Sequence, residues 1–161
     1  MKTFLLSVVA AFNNTLPHDD KCRVLTLRGG GTKGAHEVGA LKAMSEMLDP
    51  IDMAYDVVEG VSIGGLNAGL FATYPRGQEK DAIAALYELW SNYAASDLWD
   101  YWPMYIEGLL WKNALFDSTG IHNMTRDVME GREFQRSLIV QSVDLSTGEV
   151  VVFDETTPKN K

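Results

Sequence analysis

Two glycine-rich segments, each preceded by a short apolar run and followed by a longer helix-forming one, constrain this chain more than any other feature. The first, GGGTKG, covers residues 29–34 and follows the run CRVLTL, and the second, GVSIG, covers residues 60–64 and follows YDVVE. Short runs rich in β-branched residues predict buried strands, and apolar residues at spacings of three and four predict helices. Two successive strands, each followed by a helix, predict an α/β fold with a parallel sheet.

The remaining patterns extend this prediction along the chain. Helices are predicted over 35–48, 63–74, 79–93 and from 118 or 119 to about 129, and strands over 22–27, 55–61, 138–143 and 149–154. Together they predict a mainly parallel central sheet with helices on both faces. The aromatic stretch 98–111 has little periodicity; it could line an apolar cleft, contact a lipid interface, or simply pack over the helices.

Composition excludes several classes of protein. A chain of 161 residues is about one domain, and its 46% hydrophobic and 22% charged residues are ordinary for a globular protein. The 14 basic and 22 acidic residues give a net charge of −8 without a basic cluster, so we expect no nucleic-acid partner. A single cysteine, Cys22, excludes an internal disulfide and a cysteine-rich metal site, and no metal or cofactor is expected.

The N-terminal residues predict a signal peptide and set the expected domain boundaries. One lysine, a short apolar run and small residues fit a secretory signal over 1–12, and the run is shorter than the about 18 residues that cross a bilayer. A buried strand or helix is the alternative. Residues 13–21 are interpreted as a linker and 22–161 as the folded domain. Glycosylation triplets at Asn13 and Asn123 agree with secretion. We expect the secretory pathway or the extracellular space, or the cytoplasm if 1–12 is not a signal.

The GVSIG segment predicts a nucleophile elbow at Ser62. In this motif a sharp turn from strand to helix lifts a serine hydroxyl above the sheet edge, and small flanking residues, here Gly60 and Gly64, relieve the crowding. The N-terminus of the following helix faces the hydroxyl and favours negative charge there. The alternative is a serine that only caps the helix.

The GGGTKG segment predicts a cluster of backbone N–H groups that converge on one point. At a helix N-terminus such a cluster binds negative charge, either a phosphate or the oxyanion that develops in acyl transfer. The spacing G-x-G-x-x-G over 29–34 also matches a dinucleotide-binding fingerprint, in which Glu59 could contact a ribose. An oxidoreductase domain is therefore the alternative at this point.

Taken together, the two segments resemble those of the patatin-like phospholipase family. The resemblance covers about residues 23–154 and rests on GGGTKG at 29–34, GVSIGGLNA at 60–68, their order and spacing, and VDLSTGEVVVF at 143–153. It implies a three-layer α/β/α fold, no cofactor, and a serine acyl hydrolase that cleaves lipid esters as a phospholipase A or a non-specific lipid esterase. The implied partners are lipid or phospholipid acyl esters, with transient contact to a membrane or micelle surface.

The resemblance also implies a role for each matching residue. It assigns the nucleophile to Ser62 and the oxyanion hole to the N–H groups of Gly30, Gly31 and Thr32. Residues that support the two turns are Gly29, Lys33, Gly34, Gly60 and Gly64. A catalytically silent lipid-binding protein with the same fold is the remaining alternative.

The general base is missing from the sequence as given. In the family it is an aspartate followed by glycine, as Asp-Gly-Gly or Asp-Gly-Ala, and no Asp-Gly dipeptide occurs in the 161 residues. We therefore expect a domain that is incomplete at its C-terminus, ends before the catalytic aspartate, and has little or no activity alone. His122 is the alternative base, because aspartates precede it in the chain order of a Ser…Asp…His triad, but an exposed helical position without a catalytic role is favoured for it.

Overall fold

The computed structural model describes residues 19–94, 100–101 and 116–154. The predicted signal peptide, most of the predicted linker and most of the aromatic stretch 98–111 lie outside the described residues.

The strands and helices alternate along the chain as predicted. In chain order they are β1 (Val24–Leu27), α1 (Gly34–Met47), β2 (Val57–Val61), α2 (Ile63–Ala72), α3 (Glu79–Asn92), β3 (Asp100–Tyr101), β4 (Phe116–Asp117), α4 (Thr119–Met129), β5 (Ser137–Val143) and β6 (Val150–Phe153). A short 3-10 turn, Gly31–Lys33, precedes α1. The antiparallel pair β3–β4 was not predicted, whereas each predicted element is present with slightly shifted ends.

The main sheet places the two glycine segments side by side. Its strand order is β1-β2-β5-β6, with β1, β2 and β5 parallel and β6 antiparallel to β5. Leu27 pairs with Gly60, and Gly60 pairs with Val140, so β1 and β2 end at the same edge. The prediction of a mainly parallel sheet is confirmed. Loops at this carboxyl edge are where open α/β sheets place their sites.

Helix α2 forms the centre of the core. Nine of its ten residues are buried, as expected of a helix that is apolar on all sides. It contacts β1, β2 and β5, and α1, α3 and α4 pack against it, so the described helices stack on one side of the sheet. A helical layer on the other side remains a prediction. The buried core includes Leu27, Val38, Leu41, Val58, Phe71, Ile83 and Leu86.

On the sheet face opposite α2, two polar side chains donate hydrogen bonds to Glu59. Thr26 pairs with Glu59 in the sheet register, and its hydroxyl donates to the Glu59 carboxylate at 3.4 Å. The Gln141 amide donates to the other oxygen of that carboxylate. Both carboxylate oxygens are thus bonded within the sheet, which disfavours the alternative of a ribose-binding acid.

A buried ion pair connects the start of β5 to α3. Arg136 Nη1 lies 2.9 Å from Glu79 Oε1, and the two side chains are only 2% and 5% exposed. The same guanidinium donates to the carbonyl oxygens of Tyr74 and Tyr55 at 2.8 and 2.7 Å. Burial lowers the pKa of Arg136, and the adjacent Glu79 carboxylate opposes this shift. The pair therefore joins β5, α3 and two loops at one buried point.

Neither a membrane span nor a metal cluster is found in the described ranges. None of the helices there has the length and apolar character needed to cross a bilayer. No three histidine, cysteine or acidic side chains among those residues are arranged to hold a metal ion.

Candidate active site

Ser62 lies in the turn from β2 to α2 with a backbone conformation that few residue types adopt. Its φ and ψ angles are 56° and −126°, and a side-chain-bearing residue held in a sparsely populated region costs about 1–3 kcal/mol. The residue is exposed, and its side chain makes no hydrogen bond that caps α2. The alternative of a helix-capping serine is therefore wrong, and the strained strand-to-helix turn matches a nucleophile elbow.

The glycines on either side of Ser62 are required by close packing. A Cβ atom on Gly60 would overlap the backbone of Gly64, and one on Gly64 would overlap the carbonyl groups of Leu27 and Arg28. The turn after β2 therefore packs directly on the end of β1. Because no side chain fits between them, glycine is the residue that permits this approach.

The two glycine segments meet at Ser62. A Cβ atom built on Gly29 would lie 3.2 Å from the Cβ atom of Ser62 and 3.2 Å from the carbonyl oxygen of Val61. Gly31 and Ser62 also line the same cleft. The structure thus brings together the two segments that the sequence pattern associates with the oxyanion hole and the nucleophile.

The glycine segment forms a tight turn with donors at its start. Gly31 has a φ of 59°, which glycine adopts without a steric penalty. The N–H group of Lys33 bonds to Gly30 O at 3.2 Å, and the N–H group of Gly34 bonds within the same turn. The first N–H groups of a helical turn have no acceptor inside it. Those of Gly31 and Thr32 are therefore the candidate donors, and Gly31 lines the same cleft as Ser62. The side chains of Thr32 and Lys33 are exposed.

A buried amide connects the glycine segment to the helix that follows Ser62. Asn67 is 0% exposed, and its Nδ2 atom donates to Gly34 O at 3.2 Å and to Glu37 Oε2 at 3.3 Å. Its Oδ1 atom accepts from Trp90 Nε1 at 2.9 Å. Glu37 Oε1 in turn accepts from the backbone N–H of Arg28 at 2.7 Å. This network joins the ends of the glycine segment to α2 and α3.

Only part of this network has a signal in the sequence. Asn67 falls within GVSIGGLNA, one of the segments that carry the family resemblance, whereas no motif includes Glu37 or Trp90. An acidic residue in the first turn of a helix is common for electrostatic reasons alone, so Glu37 offered no specific signal.

An apolar cleft of about 660 Å³ opens beside Ser62. Its lining comes from α2, α4 and β5 and includes Leu66, Ile121 and Val140. A smaller apolar pocket of about 180 Å³ shares Leu66 and Val140 with the cleft and continues to Met129 and Phe134. Ser62 therefore lines a cleft between α2 and α4, and a second apolar pocket shares part of that cleft's lining.

Helix α4 brings His122 and Arg126 to this cleft. His122 is exposed, as expected, but it shares the cleft with Ser62, which the sequence did not indicate. Asp117, one of the aspartates that lie between Ser62 and His122 in the sequence, accepts hydrogen bonds from the N–H and hydroxyl groups of Thr119 at 2.9 and 2.6 Å. His36 is exposed on α1 and does not line the cleft. Among the described residues, no carboxylate lines it either.

Comparison with known proteins agrees with this geometry. A family model described as patatin-like phospholipase matches residues 25–156. The chain is 45% identical over 71 residues to a cUMP-AMP-activated phospholipase of Escherichia coli, a match that covers 44% of this chain and 21% of that protein. It is 32% identical over 131 residues to a patatin-like phospholipase domain-containing protein of Caenorhabditis elegans, covering 80% of this chain and 9% of that protein. The chain thus spans a small part of either relative's length. Because the family model covers most of its residues, the chain belongs to the patatin-like phospholipase family.

Proposed function

We propose that this domain hydrolyses acyl esters of lipids, with Ser62 as nucleophile and the N–H groups of Gly30, Gly31 and Thr32 as the oxyanion hole. The observation that carries the proposal is the contact between the two turns, in which Gly29 packs against an exposed and strained Ser62. Family membership supports the same reaction class.

In the proposed reaction, Ser62 Oγ attacks the ester carbonyl carbon while its proton passes to a general base. The carbonyl oxygen gains the displaced electron pair and becomes an oxyanion. Preorganised hydrogen-bond donors stabilise such an oxyanion strongly where water is excluded. The N-terminus of α2 adds a favourable dipole at the same point. As the intermediate collapses, the base gives this proton to the departing alkoxide, which releases the alcohol part of the lipid and leaves an acyl-serine ester. Water, losing a proton to the same base, then attacks the acyl-serine; the fatty acid is released and the proton returns to Ser62 Oγ.

The apolar space between α2 and α4 supports an acyl chain as the group bound next to Ser62. Ligand sites are typically apolar concavities with a few polar groups that fix orientation. Here the apolar side chains of Leu66, Ile121 and Val140 adjoin the polar end formed by Ser62 and Gly31. Phospholipase A and non-specific lipid esterase activities both fit this arrangement.

We further propose that the base is an aspartate outside these 161 residues. Two observations support this assignment: no Asp-Gly dipeptide occurs in the sequence, and no carboxylate lines the cleft among the described residues. A serine hydroxyl without a base is a weak nucleophile, so the 161-residue chain alone should turn over a chromogenic short-chain ester slowly or not at all. Robust turnover that is lost in Ser62→Ala would contradict this assignment.

His122 is the competing base, since it shares the cleft with Ser62. The protein carrying whatever sequence its gene encodes after Lys161, called the extended protein below, separates the two assignments. With an aspartate as base, His122→Asn should retain activity within about tenfold, whereas loss of a true general base costs about 10²–10⁴-fold. Replacing the downstream Asp of an Asp-Gly turn should abolish activity.

A fluorophosphonate probe tests the function itself. An activated serine displaces fluoride from phosphorus and forms a stable serine–phosphorus ester, with its proton passing to the base. Labelling of the extended protein that disappears in Ser62→Ala would support the hydrolase. A dinucleotide-binding domain would not react, and a silent lipid-binding protein would bind lipid equally well with and without Ser62.

We also propose transient contact with a lipid surface and export through the secretory pathway. A net charge of −8 does not favour strong attachment to anionic lipid, so binding to vesicles should depend little on their anionic content. Cleavage of 1–12 is tested by N-terminal sequencing of the protein collected from the culture medium.

A further inference from the structure

We infer that Glu37 and Asn67 form a brace that sets the distance between the glycine segment and Ser62, so that both act as positioning residues. The inference rests on the proposed function, because the brace acts on the proposed oxyanion hole. Neither side chain lines the cleft among the described residues, so neither is assigned contact with the substrate.

The brace holds both ends of the glycine segment. Before the segment, the Arg28 N–H group donates to Glu37 Oε1 at 2.7 Å. After it, Gly34 O accepts from Asn67 Nδ2 at 3.2 Å. The two side chains are joined to each other at 3.3 Å. Since Asn67 belongs to the helix that starts after Ser62, this chain of bonds couples the position of the nucleophile to the position of the donors.

Trp90 fixes the orientation of the Asn67 amide. The indole N–H group is only a donor, so the atom of Asn67 that it meets at 2.9 Å must be the oxygen. The Nδ2 atom is then directed to its two acceptors, Gly34 O and Glu37 Oε2. A Cβ atom on Gly34 would lie 2.7 Å from Trp90 Cζ2, so Gly34 provides the space for this indole.

The residue types follow from these contacts. Asparagine supplies one acceptor and two donors, and all are used here. Aspartate would place a second carboxylate against Glu37, and leucine would keep the size but leave Trp90 Nε1 and Glu37 Oε2 without this partner. Glutamine at position 37 would keep an acceptor for Arg28 but turn an NH₂ group toward the Asn67 NH₂ group.

Loss of the brace should therefore slow the chemical step without weakening substrate binding. A displacement of about 1 Å in catalytic geometry can cost about 10²-fold in rate. The apolar side chains that would bind the acyl group are not part of the brace. The expected signature is a fall in kcat, or in the maximal rate of fluorophosphonate labelling, with an unchanged KM or half-saturating probe concentration.

The test compares Glu37→Ala, Glu37→Gln and Asn67→Leu in the extended protein, with Glu46→Gln as the matched control on α1. Glu46 is exposed and pairs with Lys42 at 2.8 Å. We expect Glu37→Ala and Asn67→Leu to lower the maximal labelling rate of Ser62 by about 10–100-fold, with half-saturation within about twofold. Glu37→Gln should fall between wild type and Glu37→Ala, and Glu46→Gln should match wild type.

Two further measurements, a double variant and amide hydrogen exchange, test the brace. The double variant Glu37→Ala/Asn67→Leu should be no slower than the slower single variant, because residues in one network are not additive. Exchange of the Lys33 and Gly34 amide hydrogens, which bond within the glycine turn, should accelerate in both single variants and not in Glu46→Gln.

The outcomes separate the brace from the proposed function. Normal labelling in folded Glu37→Ala, unchanged amide exchange, or additive effects in the double variant would overturn the brace. Failure of the wild-type extended protein to label at Ser62, with the exchange response present, would contradict the proposed function and still support the brace.

Discussion

Gly29 packs directly against Ser62, so closely that a Cβ atom on Gly29 would stand 3.2 Å from Cβ of Ser62. The two residues belong to different strand–helix turns, and the parallel pairing of β1 with β2 is what brings those turns together. Their contact is the structural basis for the proposal that places oxyanion donors beside a nucleophile. It also indicates which substitution should move the two turns apart.

Replacing Gly29 with alanine should separate the two turns. The added methyl group would lie closer to Ser62 Cβ and to the carbonyl oxygen of Val61 than an ordinary van der Waals distance, so the glycine segment must shift. We expect ester hydrolysis by the extended protein to fall by about 10–100-fold, since small displacements at an oxyanion hole are costly.

Gly39→Ala is the matched control for this substitution. Gly39 lies on α1 with no atom within 4 Å of a built Cβ, so activity should be unchanged. Stability should rise by about 0.5–1 kcal/mol, because alanine is favoured over glycine within helices. Equal activity of Gly29→Ala and Gly39→Ala would contradict a functional role for the Gly29–Ser62 contact.

The backbone strain at Ser62 should be measurable as stability. Ser62→Gly relieves the φ of 56°, whereas Ser62→Ala retains a Cβ atom and the strain. We expect Ser62→Gly to unfold with a free energy about 1 kcal/mol higher than Ser62→Ala, measured by urea denaturation. Both variants should be inactive. Because glycine costs about 0.4–1 kcal/mol more chain entropy on folding than alanine, a Ser62→Gly variant that is less stable than Ser62→Ala by that amount would show that the turn stores no strain.

Val140 should control the length of acyl chain that the proposed hydrolase accepts. It lines both the cleft beside Ser62 and the apolar pocket that continues from it. Val140→Phe should lower kcat/KM for long-chain esters by about tenfold or more, as filling a pocket excludes ligand, while short-chain esters are affected less.

Val143→Phe provides the control on the same strand. Side chains alternate between the faces of a strand, so Val143 lies on the face of β5 opposite to Val140. Its side chain is 54% exposed. Its substitution should leave the chain-length profile unchanged. Parallel shifts in both variants would show that the apolar space is not the acyl site.

Loss of the Glu79 carboxylate should destabilise the fold strongly. Glu79→Ala leaves the Arg136 guanidinium buried beside Phe71 without its counter-ion, and breaking a buried ion pair costs about 3–5 kcal/mol. Glu88→Ala, an exposed position on the same helix, should change stability by less than about 0.5 kcal/mol. A loss below about 1 kcal/mol in Glu79→Ala, by urea denaturation, would contradict a structural role for this pair.

The sequence predicted the elements around the site better than their contacts. Glycines and β-branched runs determine where β1 and β2 end, and both turns follow from that local pattern. By contrast, β2 starts at Val57 rather than at Tyr55, because the Asp56 and Val57 N–H groups both bond to Arg23 O at the start of the β1 pairing. Such an end depends on a distant strand and is not visible in local periodicity.

Long-range side-chain partners were the least predictable part of the site. Asn67 belongs to a recognisable pattern, but its bonds to Glu37 and Trp90 span three helices. His122 looked like an ordinary exposed helical residue, since only the packing of α4 against α2 brings it to the cleft. Contacts that arise from tertiary packing leave no local pattern in the sequence.

The most direct test of Ser62 as the nucleophile is to locate the fluorophosphonate adduct by mass spectrometry in the extended protein. We predict one dominant adduct on the peptide that contains Ser62, absent in Ser62→Ala and formed at least about tenfold more slowly in Gly29→Ala. An adduct on another residue, or lipid-ester hydrolysis that persists in Ser62→Ala, would contradict it.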